Sequence, residues 1–240
     1  MKNRGKKMTN QYYLYDDNIG SIELVQSMGE DITIVNAARV SFGVHKDVID
    51  EKDKKLIGYL IKHKHTSTLE HNIATFRIKV PLFVRSQHHR HRTWSYNEIS
   101  RRYTDSNIEF YVPKKFRTQH SSNRQSSNTD ELINPDIQVD AWCGLGNAYE
   151  VYSEHCEESL KLFNKLLQKG VCREQARAIL PQAMYTEYYA TANLNNILKF
   201  ISLRTHSGAQ IEIQKLALSM LKIITELWPE AVSNFTIHEK

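Results

Sequence analysis

A change of hydrophobic period along the chain constrains its fold more than any other feature. Phe76, Ile78 and Val80 alternate with Thr75, Arg77 and Lys79. A period of two sends one face of a β-strand to a core and the other to water. From residue 149 the period lengthens. Tyr149, Tyr152, Cys156, Leu160, Phe163 and Leu167 recur every three or four positions, with Gly170 as a stop. Ile213, Leu216, Met220, Ile223 and Leu227 repeat the pattern. These are the buried stripes of amphipathic helices. Strand and helix signals are partly segregated. That favours an α+β fold, with a central antiparallel or mixed sheet packed with helices and a mainly helical C-terminal half.

Weaker signals fill in the rest. Residues 12–15, 21–26, 108–112 and 184–191 read as strands, and 31–40, 50–63, 82–92, 172–180, 193–203 and 210–228 as helices. Asp31 is the expected N-cap of the first helix, and Pro81 is expected to open the third. Residues 114–134 are rich in Ser and Asn and poor in apolar side chains, which reads as an exposed, mobile insertion within one domain spanning residues 12–240. Residues 1–11 are basic without an apolar run, so they read as a mobile tail and not as a secretory signal. No run approaches the roughly 20 apolar residues of a membrane span. Cys143, Cys156 and Cys172 are odd in number and scattered. They suggest neither a disulfide framework nor a cysteine-only zinc site, and a reducing cytoplasm is the expected home.

The chemistry concentrates in Arg90-His91-Arg92-Thr93-Trp94-Ser95-Tyr96-Asn97-Glu98-Ile99-Ser100-Arg101-Arg102. Arginine forks suit phosphate or a planar carbonyl edge. Glu98 would repel phosphate, so it is expected to bond an N–H or O–H of a base or sugar, or to orient an arginine. The composition suggests a nucleotide site, and a solvated basic loop is the bland alternative. A single-stranded nucleic-acid-binding module is the other functional reading, with Trp94, Tyr96 and Tyr103 stacking bases among the arginines. His63, His65, His71, His88, His89 and His91 lack the spacing of a metal site, and no metal is expected. There is no G-x-G-x-x-G and no P-loop, so a nucleotide cofactor would not bind by either of those mechanisms.

The segment fits R-H-R-x-x-S-x-N-x-x-S-x-R at all seven specified positions, the hallmark of the flavin-dependent thymidylate synthases, which this chain resembles. Further likeness lies in His63 to His71, Ala37 to Phe42, Arg173 to Pro181, and Leu203-Arg204 followed by Ala209-Gln210-x-Glu212-Ile213. The resemblance implies a homotetramer with active sites shared between subunits. It implies FAD as cofactor, NADPH as reductant and 5,10-methylenetetrahydrofolate as one-carbon donor, with dUMP converted to dTMP and neither nucleic acid nor membrane as partner. It places His65, Ser67, Arg90, His91, Arg92, Glu98, Asn193 and Asn195 at FAD. It places Gln87, Arg90, Glu98, Ile99, Ser100, Arg101, Arg102, Arg177 and Arg204 at the nucleotide. Arg204 takes the catalytic part, polarising the pyrimidine. Several positions depart from the family pattern: Asn195 where arginine is frequent, Lys199 where asparagine is, Gly208 where histidine is, and Ser67-Thr68 where a threonine-proline pair is. No Pro-Cys nucleophile motif is present, so the uracil ring is expected to be activated by charge and not by thiolate addition. Ser100 has no evident base and orienting partner, which favours binding over nucleophilic attack.

Overall fold

The computed structural model describes residues 11–139 and 144–238. In chain order the elements are β1 (Gln11–Tyr13), β2 (Ser21–Met28), α1 (Asp31–Arg39), α2 (Glu51–Lys62), β3 (Ile73–Pro81), α3 (Leu82–His88), β4 (Ser95–Glu98), β5 (Phe116–Gln119), β6 (Ser127–Ile133), β7 (Asp136–Val139) and β8 (Gly144–Asn147). They continue with α4 (Ala148–Gln168), α5 (Arg173–Ala176), β9 (Tyr185–Asn193), α6 (Leu194–Thr205), α7 (Ile211–Leu227) and α8 (Pro229–His238). Short 3₁₀ turns cover Val40–Phe42, Thr66–His71 and Arg177–Ile179. The fold is α+β. The expected basic tail and Cys143 lie outside the described residues, Gln11 excepted.

Five strands form one sheet in the order β1-β2-β3-β9-β4, and every pairing in it is antiparallel. The alternation at residues 75–80 explains its central strand. Phe76, Ile78 and Val80 are fully buried, while Arg77 points outward to meet Glu187 of β9 through Nε (3.0 Å) and Nη2 (2.8 Å). The buried face packs on α6 and α7 through Ile197, Phe200, Ile213, Leu216 and Met220, each aliphatic side chain contributing roughly 1.5–3 kcal/mol. A smaller cluster of Phe163, Ala176, Leu180 and Met184 docks α4 and the α5 region. No helix among the described residues is long and apolar enough to cross a membrane.

Several local expectations change. Glu30, not Asp31, is the N-cap of α1. The Asp31 carboxylate instead accepts the Glu230 and Ala231 amides (2.9 and 3.1 Å). It caps α8, a helix beyond residue 228 that the sequence reading did not assign. The third helix stops at His88, four residues short of the expected 92, and Pro81 is its N-cap. Residues 108–112 form only a bridge between Phe110 and Met184, because their bonds to residues 183–185 end between Pro113 and Pro181. Residues 114–134 are not a bare loop. They hold the β5–β6 hairpin, whose Arg117 is anchored on α7 by Glu212.

Candidate active site

The Arg90–Arg102 segment is a turn followed by an edge strand. After α3 the chain turns tightly, with the His91 amide donating to the His88 carbonyl at 3.0 Å. Trp94 is then buried, its ring near Phe76 and Phe200. Core packing therefore removes it from the base-stacking role that the nucleic-acid reading required. β4 pairs with β9 from Ser95↔Thr191 to Glu98↔Tyr188. Four residues at about 3.3 Å each separate its ends by roughly 10 Å. The R-H-R residues thus lie toward the Asn193 end of β9, and Glu98 to Arg102 toward the Thr186 end.

At the Thr186 end opens a cleft of ≈ 660 Å³ lined by Arg85, Glu98, Ile99, Ser100, Arg101 and Arg177, among others. One oxygen of Glu98 carries the internal contacts. Oε1 accepts from Arg85 Nε at 3.0 Å and from Thr186 Oγ1 at 2.6 Å. No protein bond occupies Oε2 among the described residues, so it remains for a ligand donor. Arg101 is buried, its Nη1 and Nη2 spent on the Ser106 and Asn107 carbonyls (2.7 and 3.3 Å), while its buried Nε has no protein partner. Ser100 Oγ accepts the Arg102 amide at 3.3 Å, and Arg102 pairs with Glu174 at 3.0 Å. Arg177 is exposed at the cleft. Ile99 is anchored by its amide, which donates to the Glu187 carbonyl at 2.9 Å.

Arg204, near the end of α6, forms a second group. Its Nε donates to His91 Nε2 at 3.2 Å and its Nη2 to the Gln87 carbonyl at 3.2 Å. Burial, and then the Arg204 charge, lower the His91 pKa to about 4. The imidazole is therefore neutral near pH 7, as acceptance at Nε2 requires. His88 is buried with Nδ1 2.9 Å from Tyr188 Oη, and burial drives its pKa well below the ordinary value. Arg204 and Gln87 are not among the cleft-lining residues of the single chain.

A third group gathers where β3 begins and β9 ends, since Ile73 pairs with Asn193. Asn193 caps α6 by accepting the Asn196 amide at 3.0 Å. Asn195 is buried and weakly bonded to Glu70, 3.4 Å from its carboxylate. His65 and Ser67 are exposed at the start of the adjoining 3₁₀ turn. Arg90 and Arg92 are exposed, with no carboxylate partner among the described residues.

Sequence reasoning missed Arg85 and Thr186 as site residues. Arg85 had a signal, because it belongs to the basic stretch and precedes Glu98 by thirteen residues. The pairing of β9 with β4 that delivers Thr186 had none. Of the described cysteines, Cys156 is buried, with its thiol pushed up to about 11 by burial. Cys172 is exposed outside the cleft.

Residues 23–230 match the family described as thymidylate synthase complementing protein. A flavin-dependent thymidylate synthase from Kosmotoga olearia is 42% identical over 222 residues, covering 90% of this chain and 91% of its own. Another, from Thermosipho melanesiensis, is 40% identical over 217 residues, covering 90% of each. The crystal structure of a UMP/dUMP methylase, PolB, from Streptomyces cacaoi bound with 5-Br UMP superposes with a TM-score of 0.74 at 31% identity, covering 91% of this chain and 94% of its own. Sequence and fold agree over nearly the whole chain, and the protein belongs to the flavin-dependent thymidylate synthase family.

Proposed function

We propose that this enzyme methylates dUMP to dTMP, taking the one-carbon unit from 5,10-methylenetetrahydrofolate and reducing equivalents from NADPH by way of FAD. The observation that carries the reading is a cleft of arginines, serine and two carboxylates, Glu98 oriented by Arg85 and Thr186, and lined by no thiol among the described residues. Methylation at C5 of uracil needs electron density pushed into the ring. Without a thiolate, that push must come from fixed charge.

Arg177 suits the nucleotide phosphate, with the charge of the loop-held Arg101 behind it, and the free Oε2 of Glu98 suits an N–H or O–H donor of the nucleotide. Ser100 and the Ile99 edge complete the pocket wall, with Arg102 held beside it by Glu174. Arg204 would stabilise negative charge on the pyrimidine N3 and O4 edge. The neutral His91 and the Gln87 carbonyl hold its guanidinium without cancelling its charge.

The residues present fit a phosphate-bearing flavin. Arg90 and Arg92 are two guanidinia without carboxylate partners among the described residues, as a pyrophosphate requires, and His65, Ser67 and Asn193 add polar groups at the same end of the sheet. Bound flavin supplies the hydride-level reduction that the methylene group needs to become methyl. Buried Asn195 offers an amide in place of a cation, so within the chain Arg90 and Arg92 are the charges proposed to complement the pyrophosphate.

The same geometry supports assembly of each site from several subunits of a homotetramer. His65, Ser67, Arg90 and Arg92 are exposed, and Val40 (73% exposed), Phe42 (82%) and Val48 (75%) leave apolar surface uncovered. The test is a visible spectrum of the purified protein with mass identification of the chromophore. NADPH oxidation and dTMP formation are then followed with and without dUMP and methylenetetrahydrofolate. A protein that neither carries nor rebinds FAD, and forms no dTMP, would sink the proposal.

A further inference from the structure

Two sets of polar contacts, joined through the first turn of α7, link the β5–β6 hairpin to Arg204. Arg117 of β5 grips the buried carboxylate of Glu212 on both oxygens, Nη1 to Oε1 at 2.9 Å and Nη2 to Oε2 at 3.0 Å. Its Nε donates to Ser127 Oγ of β6 at 2.9 Å, which fixes the fork to the hairpin. Glu212 lies in the first turn of α7 and is only 4% exposed at its side chain. It also accepts from Tyr111 Oη at 3.1 Å, and its own carbonyl accepts from Tyr15 Oη at 3.2 Å. Gln210 is the N-cap of α7, two residues before Glu212, so the grip on Glu212 holds the start of the helix that carries Gln210. Gln210 Oε1 accepts from the Gln87 side-chain amide, and the Gln87 backbone carbonyl accepts from Arg204 Nη2 at 3.2 Å.

We propose that Arg117 is a positioning residue for the reaction, acting through Glu212, Gln210 and Gln87 to fix the Arg204 guanidinium. The polar stretch at residues 114–134 then serves the site without touching substrate. A nearly dry carboxylate with one ion-pair partner among the described residues cannot lose that partner without rearranging. The first turn of α7 moves with it, and so does the Gln210–Gln87 contact. Groups that orient a site from behind typically change activity by about 10- to 100-fold when removed.

The inference rests on the proposed role of Arg204, and the experiment separates the two. Turnover and KM for dUMP are measured in the intact, flavin-loaded enzyme for Arg117→Met, Arg204→Lys and the double variant. Arg117→Met is expected to lower kcat about tenfold with flavin content unchanged. In the Arg204→Lys background it is expected to lower kcat less than about twofold further, because coupled effects do not add. An undiminished tenfold loss in that background overturns the relay, as does full activity of Arg117→Met beside an impaired Arg204→Lys. Full activity of Arg204→Lys overturns the role of Arg204 itself, and the relay with it. If Arg117→Met does not fold, Arg117→Lys keeps the charge but loses the two-pronged grip. It is expected to lower kcat about threefold in the wild type and not in the Arg204→Lys background, and equal losses in both overturn the proposal.

Discussion

Arg85→Met should release Glu98 from the geometry that leaves Oε2 free for a ligand. The size of the effect follows from the clamp. At 3.0 Å, opposite unit charges attract by about 5–6 kcal/mol at an effective dielectric near 20. Water reaches both side chains, which are 30% and 22% exposed, so desolvation and screening cancel most of that. A net coupling of about 1–2 kcal/mol remains, or about 5- to 30-fold in an equilibrium constant. Thr186 stays bonded to Oε1 at 2.6 Å and prevents complete loss of orientation. The measurement is the Kd for dUMP by calorimetry in wild type, Arg85→Met, Glu98→Gln and the double variant. The cycle should show a coupling of about 1–2 kcal/mol between the two substitutions. Additivity to within about 0.5 kcal/mol would refute the idea that Arg85 acts on the nucleotide through Glu98.

Arg204→Ala should keep its flavin yet lose about 10²- to 10³-fold in kcat, the scale for removing one preorganised donor. Loss of flavin with the fold intact would contradict its assigned role. Burial holds the pKa values of His88, His89 and His91 below the ordinary value, His91 at about 4. The unfolded chain therefore binds more protons below about pH 6.5. Stability should be full above that pH and fall as pH is lowered toward 4, and a flat urea midpoint between pH 7.5 and 5 would exclude this. Gly20→Ala should lower stability by about 1–3 kcal/mol, because an added Cβ falls 2.3 Å from a ring carbon of the buried Tyr15. An unchanged Tm would mean that the Tyr15 ring is free to move. Replacing Cys143, Cys156 and Cys172 by alanine, one at a time, should leave turnover essentially unchanged. Loss of dTMP formation in any one folded variant would restore a thiolate to the mechanism.

The sequence was most legible where one physical signal acted alone. Strict alternation located β3, and the three-to-four spacing located α4 and α7, because burial on a single face set both patterns. Asp31 was read as a cap but attached to the wrong helix. A capping carboxylate announces its chemistry, while its partner across nearly two hundred residues depends on tertiary packing. The hairpin at residues 116–133 was invisible for the opposite reason. Its side chains are largely exposed, so no apolar period marks the strands, and a link such as Arg117 to Glu212 is a long-range pairing that residue types do not encode. The motif announced its arginines and Glu98. It did not announce that Trp94 is core, that Arg101 is consumed by loop carbonyls, or that Arg85 completes the clamp.

The motif's spacing becomes intelligible once its path is known. A nucleotide and a flavin that exchange a hydride must meet, yet each also needs its own anionic contacts. A helical stretch would rise only about 1.5 Å per residue and turn successive side chains around its axis. A strand advances about 3.3 Å per residue and keeps alternate side chains on one face. By breaking α3 at His88 and running the next residues as an edge strand on β9, the chain places the R-H-R turn toward one end of that strand and Glu98, Ser100 and Arg101 toward the other. Arg204 returns along α6 to the turn and reaches His91 and Gln87. In the proposed reading one thirteen-residue segment serves both molecules, because the buried Trp94 pins the turn to the core and the β4–β9 pairing fixes the register beyond it.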